Sequence, residues 1–212
     1  MPDLHSLFEA SRYSANALSV ATALAALSIL CLGAGVLWRG RRLAAGRQFF
    51  LLTVAAAGWL GAFATMYASR DAAAALAWAR IGYFFGALIP AAVFHFATTL
   101  DVTRKRYRIR IPLFWSFCAL VGATGLFTNA LMPTVHRYSW GHYPVGRPFG
   151  GVIVLSFFII IVAAIHVFWR MYRGAEGKAR ERAGALLLAF VLGSLGMFDY
   201  LPSVGVDLQP IG

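Results

Sequence analysis

AWARIGYFFGALIPAAVFHFATTLD, from Ala77 to Asp101, is the stretch that decides how the chain is read. It is apolar for long enough to span a bilayer, yet it carries Arg80, Tyr83, Pro90, His95 and Thr98. Polar groups are costly in hydrocarbon, so a membrane helix that keeps several turns them towards other protein. At about 100° per residue, Arg80, Tyr83, Phe84, Ala87, Ala91, His95 and Thr98 fall near one line. Gly82 and Gly86 form a GxxxG on roughly the opposite side, where a second helix can approach closely. The rest of the chain reads as wrapping around this helix.

Composition agrees. The 212 residues are 60% hydrophobic and 13% charged, whereas a soluble domain carries about 25% charged residues. The apolar residues arrive in blocks of roughly 20, the length that matches the hydrocarbon thickness. The fold class is therefore all-α: a polytopic membrane helix bundle, one domain over 1–212. Its six transmembrane spans run over about 15–38, 49–67, 77–100, 111–131, 152–169 and 183–201.

The net charge of +11 invites a nucleic-acid reading, and its distribution excludes one. Fourteen of the 19 Lys and Arg fall in three loops. The first holds Arg39, Arg41, Arg42 and Arg47, and the second Arg104, Lys105, Arg106, Arg108 and Arg110. The third holds Arg170, Arg173, Lys178, Arg180 and Arg182. The positive-inside rule places those loops in the cytoplasm and the N-terminus outside. The same loops can hold anionic lipid heads, at about 1 kcal/mol per basic residue. Six crossings return the C-terminus to the outside, so a cytoplasmic output domain requires a seventh span. Truncation after span six is the expectation, and a complete six-helix protein is the alternative.

Cys31 and Cys118 lie inside apolar blocks and read as small buried hydrophobes rather than a disulfide framework. The opening MPDLHSLFEASRYS is acidic where a signal peptide is basic, so it reads as a retained outer segment or interfacial helix. No internal repeat stands out, which weakens a transporter built from duplicated halves.

Paired carboxylates, HExxH, a Gly-rich phosphate loop and CxxC are all missing, so the segment reads as non-catalytic. The outer end holds the candidate site. Arg80 near the start of span three and Asp199 near the end of span six reach similar depth, among Tyr67, Trp78, Tyr83 and Tyr200. One reading is an aromatic belt with a structural Arg–Asp pair. The other is a cup for a small amphipathic ligand, roofed by the Tyr138–Phe149 loop. Pro90 removes a mid-span hydrogen bond, as a tolerated proline or as a hinge between outer cup and inner loops. His95 and His166 both lie in the cytoplasmic half. If spans three and five are neighbours, the pair offers a bis-His haem or metal site; hydrogen-bonded or snorkelling histidines are the alternative.

Specific residues also resemble a known family. They are Trp59, Trp78-Ala79-Arg80, Tyr83, Pro90 and Phe94-His95-Phe96 before a basic loop. The tail adds Asp199-Tyr200-Leu201-Pro202, Gly205 and Gln209-Pro210-Ile211-Gly212. Their order resembles the N-terminal seven-helix membrane region of bacterial sensor histidine kinases, which also precedes diguanylate cyclase and PAS modules. The resemblance implies a sensory input domain in the bacterial inner membrane, coupled to a cytoplasmic output domain in the parent chain. The candidate ligand-binding set is Arg80, Tyr83, Asp199, Tyr67, Trp59 and Tyr200, with Pro90 as hinge. No cofactor is expected; haem on His95 and His166 is the minor alternative. Expected partners are membrane lipids, a small or lipid-like ligand and a second copy in a homodimer, with no nucleic acid. The competing functions are a small transporter or channel and a haem electron-transfer domain.

Overall fold

The structure is a computed structural model and describes residues 7–101, 104–196 and 202–203. Its helices are α1 (Ala17–Gly40), α2 (Ala44–Ala68), α3 (Ala72–Leu100), α4 (Arg110–Phe127), α5 (Pro148–Gly174) and α6 (Gly177–Ser194). Five of them, α1 to α5, are long and apolar enough to cross a membrane. The first turns of α6 carry Lys178, Arg180, Glu181 and Arg182 before its apolar run begins. A helical membrane bundle is what these elements make.

Local chemistry sets several of the ends. Asn16 and Ser19 form a reciprocal capping box at the start of α1, each side chain accepting from the other residue's backbone N–H. The Asp71 side chain accepts from Ala74 N at 2.8 Å, so α3 starts at Ala72, a turn before its apolar block. Pro148 enters at the first helical position of α5, where its missing N–H is harmless. Charged ends carry the helical hydrogen-bond ladder beyond the apolar blocks: α2 begins inside the first basic loop and α5 continues to Gly174. In the other direction, α4 stops at Phe127, and Thr128 to Leu131 leave the helix towards the next element.

That element departs from a purely helical reading. The long outer connection contains a two-stranded antiparallel hairpin, β1 (Thr134–Tyr138) and β2 (Gly141–Val145). Ser139 and Trp140 close it, and Gly141 takes φ 146, a backbone region open to glycine. The N-terminal segment joins the same end. Tyr13 bridges Ser69, Arg70 N donates to Arg12 O at 2.8 Å, and Asn16 Nδ2 donates to Tyr67 O at 2.8 Å. Its described part holds a short 3-10 turn at Ala10–Arg12, and residues 1–6, the rest of the expected interfacial segment, lie outside the described residues.

Helix α3 is the hub. It packs on α2, α4 and α5 and touches both strands. Its two faces divide as their residues do. A Cβ on Gly82 would lie 2.6 Å from Phe63 Cδ2, and one on Gly86 3.4 Å from Trp59, so the GxxxG is where α2 sits. Most of the polar stripe meets α4 and the chain just after it, with Arg80 on Asn129, Phe84 over Gly122 and His95 on Trp115, whereas Tyr83 turns to Phe63 of α2. The same use of small residues joins α1 to α2, where a Cβ on Gly33 would land 1.8 Å from Thr53 Oγ1. Lipid tails are as apolar as leucine, so close packing of this kind holds the helices together. Cys118 is buried in the inner core, whereas Cys31 is exposed on the outer face of α1.

Candidate functional site

The outer half of the bundle is built around one ring. Phe63 of α2 has Trp59 at 5.7 Å, Tyr67 at 5.9 Å, Tyr83 at 5.7 Å and Tyr143 at 5.9 Å between centroids. Tyr143 comes down from β2 and is buried. The structure thus brings Tyr67, Tyr83 and Trp59 together around Phe63. Tyr67 also meets Trp140 at 6.1 Å, and Trp140 stacks on Tyr138 at 4.9 Å with planes 2° apart. The aromatic connection forms a hairpin packed on this end of α2 and α3. Trp78 lies to one side, donating to Tyr13 OH at 2.8 Å with Phe8 against its ring.

Arg80 is 8% exposed, and its guanidinium donates to Asn129 Oδ1 and to the Met132 carbonyl, the latter at 3.3 Å. Both acceptors lie between α4 and β1, so the side chain fastens the base of the hairpin to α3. Both are also neutral. Among the described residues Arg80 has no carboxylate partner, and its buried Nε has no hydrogen bond. A buried cation held only by neutral acceptors and carrying an idle N–H is left with unspent demand for negative charge. Asp199 and Tyr200 lie outside the described residues. Asn129 and Met132 were not legible as partners, because a carbonyl carries no residue-type signal and a single Asn beyond a span is common.

On the other side of the hairpin, His142 is buried with Nδ1 3.1 Å from the Ser69 carbonyl. A carbonyl only accepts, so Nδ1 carries the proton. Burial pushes the His142 pKa down; the Ser69 carbonyl opposes that, Arg137 adds to it, and Asp71 opposes it.

The family described as the N-terminal 7TM region of histidine kinase matches the chain over residues 21–212. The chain belongs to that family. It is accordingly a multi-pass membrane protein and a sensory input domain. No curated protein and no solved structure matches it.

In this 7TM sensor region the middle of α3 borders an apolar cavity of about 590 Å³. Trp59, Thr53, Pro90, Phe157 and Phe190 are among its walls, drawn from α2, α3, α5 and α6. Trp59 therefore serves two places, its ring against Phe63 above and the cavity below. Pro90 is buried within a helix that continues on both sides of it.

At the inner end, α3 and α5 are neighbours, but the two histidines are not brought together. His95 Nδ1 accepts from Trp115 Nε1 of α4 at 3.2 Å. On α5, Ala164, Val167 and Phe168 face the core, and His166 is exposed on another face. Among the described residues no group of three or more metal-ligating side chains occurs. A polar link forms instead at the basic loop. Arg170 of α5 donates to Tyr107 OH at 2.9 Å, and Tyr107 OH donates to Asp101 Oδ2 at 3.3 Å. Tyr107 packs against Phe94 of α3 with ring centroids 5.8 Å apart. This clasp ties the inner ends of α3 and α5 to the loop between α3 and α4, and no motif announced it.

Proposed function

We propose that the chain is the input domain of a bacterial inner-membrane histidine kinase, taking a small or lipid-like ligand from the outer side. Arg80, Tyr83, Asp199, Tyr67, Trp59 and Tyr200 form its receiving end in this reading. Asp199 supplies the counter-charge that Arg80 lacks among the described residues. Pro90 is the hinge, and a cytoplasmic kinase module in the parent protein reads the movement.

The observation that carries the reading is the continuity of α3. One helix bears Arg80 and Tyr83 under the hairpin at its outer end and meets the Asp101–Tyr107–Arg170 clasp at its inner end. A ligand that favours one packing of the outer end biases the whole helix, because packed interfaces switch between discrete arrangements. The apolar cavity beside Trp59 and Pro90 accounts for the lipid-like branch, since its volume falls within the range of small-molecule sites, about 300–1,000 Å³.

The test is kinase output of the parent protein reconstituted in proteoliposomes, comparing wild type with Arg80→Ala, Asp199→Asn and Pro90→Ala. Each variant that inserts and folds should shift basal autophosphorylation by several-fold. Unchanged output in all three would remove the sensory role from these residues.

A further inference from the structure

We propose that the outer face carries an anion-binding cup, between the N-terminal segment, the α2–α3 turn and the hairpin tip. Its occupant is a small anion with a flat unsaturated body, such as an aromatic carboxylate. The proposal rests on the outer-side sensory reading and names the chemistry that side would take.

The cup has a volume of about 740 Å³, and its walls include Asn16, Tyr67, Arg70, Arg137, Trp140 and His142. Two guanidiniums therefore border it from separate elements, and among the described residues no carboxylate does. Asp71, next to Arg70 in the chain, is already engaged. Asp71 caps α3 through Oδ1 and faces Arg12 through Oδ2 at 3.8 Å. Among the described residues neither Arg70 nor Arg137 has an acidic partner within salt-bridge reach. Two cations with no counter-charge among the described residues, beside one concavity, make a positive potential that an incoming anion relieves.

Hairpin register sharpens the site. Arg137 pairs directly with His142 across the strands, so their side chains share one face of the ribbon. His142 Nδ1 donates to the Ser69 carbonyl, so Nε2 of the neutral ring accepts and becomes a donor to an anion once the ring is protonated. The flat body has its own walls. Trp140 is held parallel to Tyr138 and edge-on to Tyr67, so its ring is fixed before anything binds. Gly141 lies against Tyr67, where a Cβ would come within 3.7 Å, which keeps the hairpin tip close over α2. Charge-assisted pairing with a planar carboxylate suits guanidinium better than ammonium, because its paired N–H groups match both oxygens.

The same anion chemistry can come from a free acid or from the headgroup of an anionic lipid, and the experiment separates them. The full chain is placed in phosphatidylcholine nanodiscs and titrated with 4-hydroxybenzoate, with inorganic phosphate as the headless anion and 4-hydroxybenzamide as the neutral analogue. Tryptophan fluorescence reads binding directly. The acid should bind at least tenfold more tightly than the amide. Arg70→Gln and Arg137→Gln should each weaken the acid about tenfold or more, as for a lost charge-assisted contact. Phosphate should compete with the acid. If phosphatidylglycerol in the disc also displaces the acid, the headgroup is the natural source; if it does not, a free acid is. Absence of saturable acid binding in both lipids, or binding that survives the double Gln variant, overturns the proposal. Because binding is read without kinase output, a bound but silent protein would sink the sensory reading and leave the cup standing.

Discussion

Replacing Gly82 by alanine puts a methyl group where the ring of Phe63 already is. The new Cβ would lie 2.6 Å from Phe63 Cδ2, 2.7 Å from Cε2 and 3.3 Å from the Ala62 Cβ, against 3.4–4 Å for ordinary contact. Phe63 cannot swing aside, because Trp59, Tyr67, Tyr83 and Tyr143 surround it. Relief requires α2 and α3 to part by several tenths of an ångström. That loosens the seam at Gly58, where a Cβ would be 2.6 Å from Phe85, and at Gly86 over Trp59. Overpacking of this kind costs about 1–3 kcal/mol. Alanine recovers about 1 kcal/mol of helix propensity over glycine, so the net loss is about 0–2 kcal/mol. Gly61, also in α2, has nothing within 4 Å of its Cβ position, and Gly61→Ala isolates the propensity gain. The difference between the two variants should be about 1–3 kcal/mol, read as the midpoint of SDS-induced unfolding followed by circular dichroism. Adding Phe63→Leu to Gly82→Ala should return part of the loss, with a coupling of about 1 kcal/mol or more. If Gly82→Ala is as stable as Gly61→Ala, the close α2–α3 seam is not where these residues place it.

Arg80→Met keeps the stem and removes both donors: exposed Asn129 turns to water, and the buried Met132 carbonyl is stranded. Losing a donor to a buried acceptor costs about 1–3 kcal/mol, so the hairpin should become sensitive to protease at concentrations that spare wild type. Tyr107→Phe deletes the hydroxyl that accepts from Arg170 and donates to Asp101; a stability loss of about 0.5–1.5 kcal/mol and faster amide exchange in the loop after Leu100 should follow. His142 has its pKa held below the ordinary value of 6.5, so the unfolded chain binds more protons just below that pH. Its contribution to stability is complete above about 6.5 and is lost as pH falls towards its folded value; His142→Asn should flatten that part of the unfolding profile. Affinity of the outer cup for 4-hydroxybenzoate should rise over the same fall in pH, as protonated Nε2 joins Arg70 and Arg137 with Asp71 held by Arg12.

Residues that carried a signal in one dimension were legible early. The stripe through Arg80, Phe84 and His95 and the glycines opposite it are properties of a single helix, so helical period alone separates the α4 face from the α2 face. What failed to show was whatever depends on two distant segments meeting. Arg80 finds Asn129 and Met132 across 49 and 52 residues, and His142 finds Ser69 across 73. The hairpin was hidden for a related reason. His142, Tyr143 and Pro144 are all buried, so β2 lies between two packed surfaces and lacks the in–out alternation that marks a half-exposed strand. For the histidine pair, α3 and α5 do lie side by side, and the rotation of each helix about its axis, which sets His95 on Trp115 and leaves His166 exposed, was not knowable.

The order of helices and the central place of α3 thus follow from the chain itself, and the basic loops carry the expectation for orientation. Apolar block length and charge asymmetry act against bilayer and water before any helix meets another. Which acceptors satisfy Arg80, which ring His95 meets and which basic groups share a cup required the packed bundle. Those outcomes depend on helix rotation and on a hairpin whose position is set by Phe63, Tyr67 and Tyr143 filling one another's space.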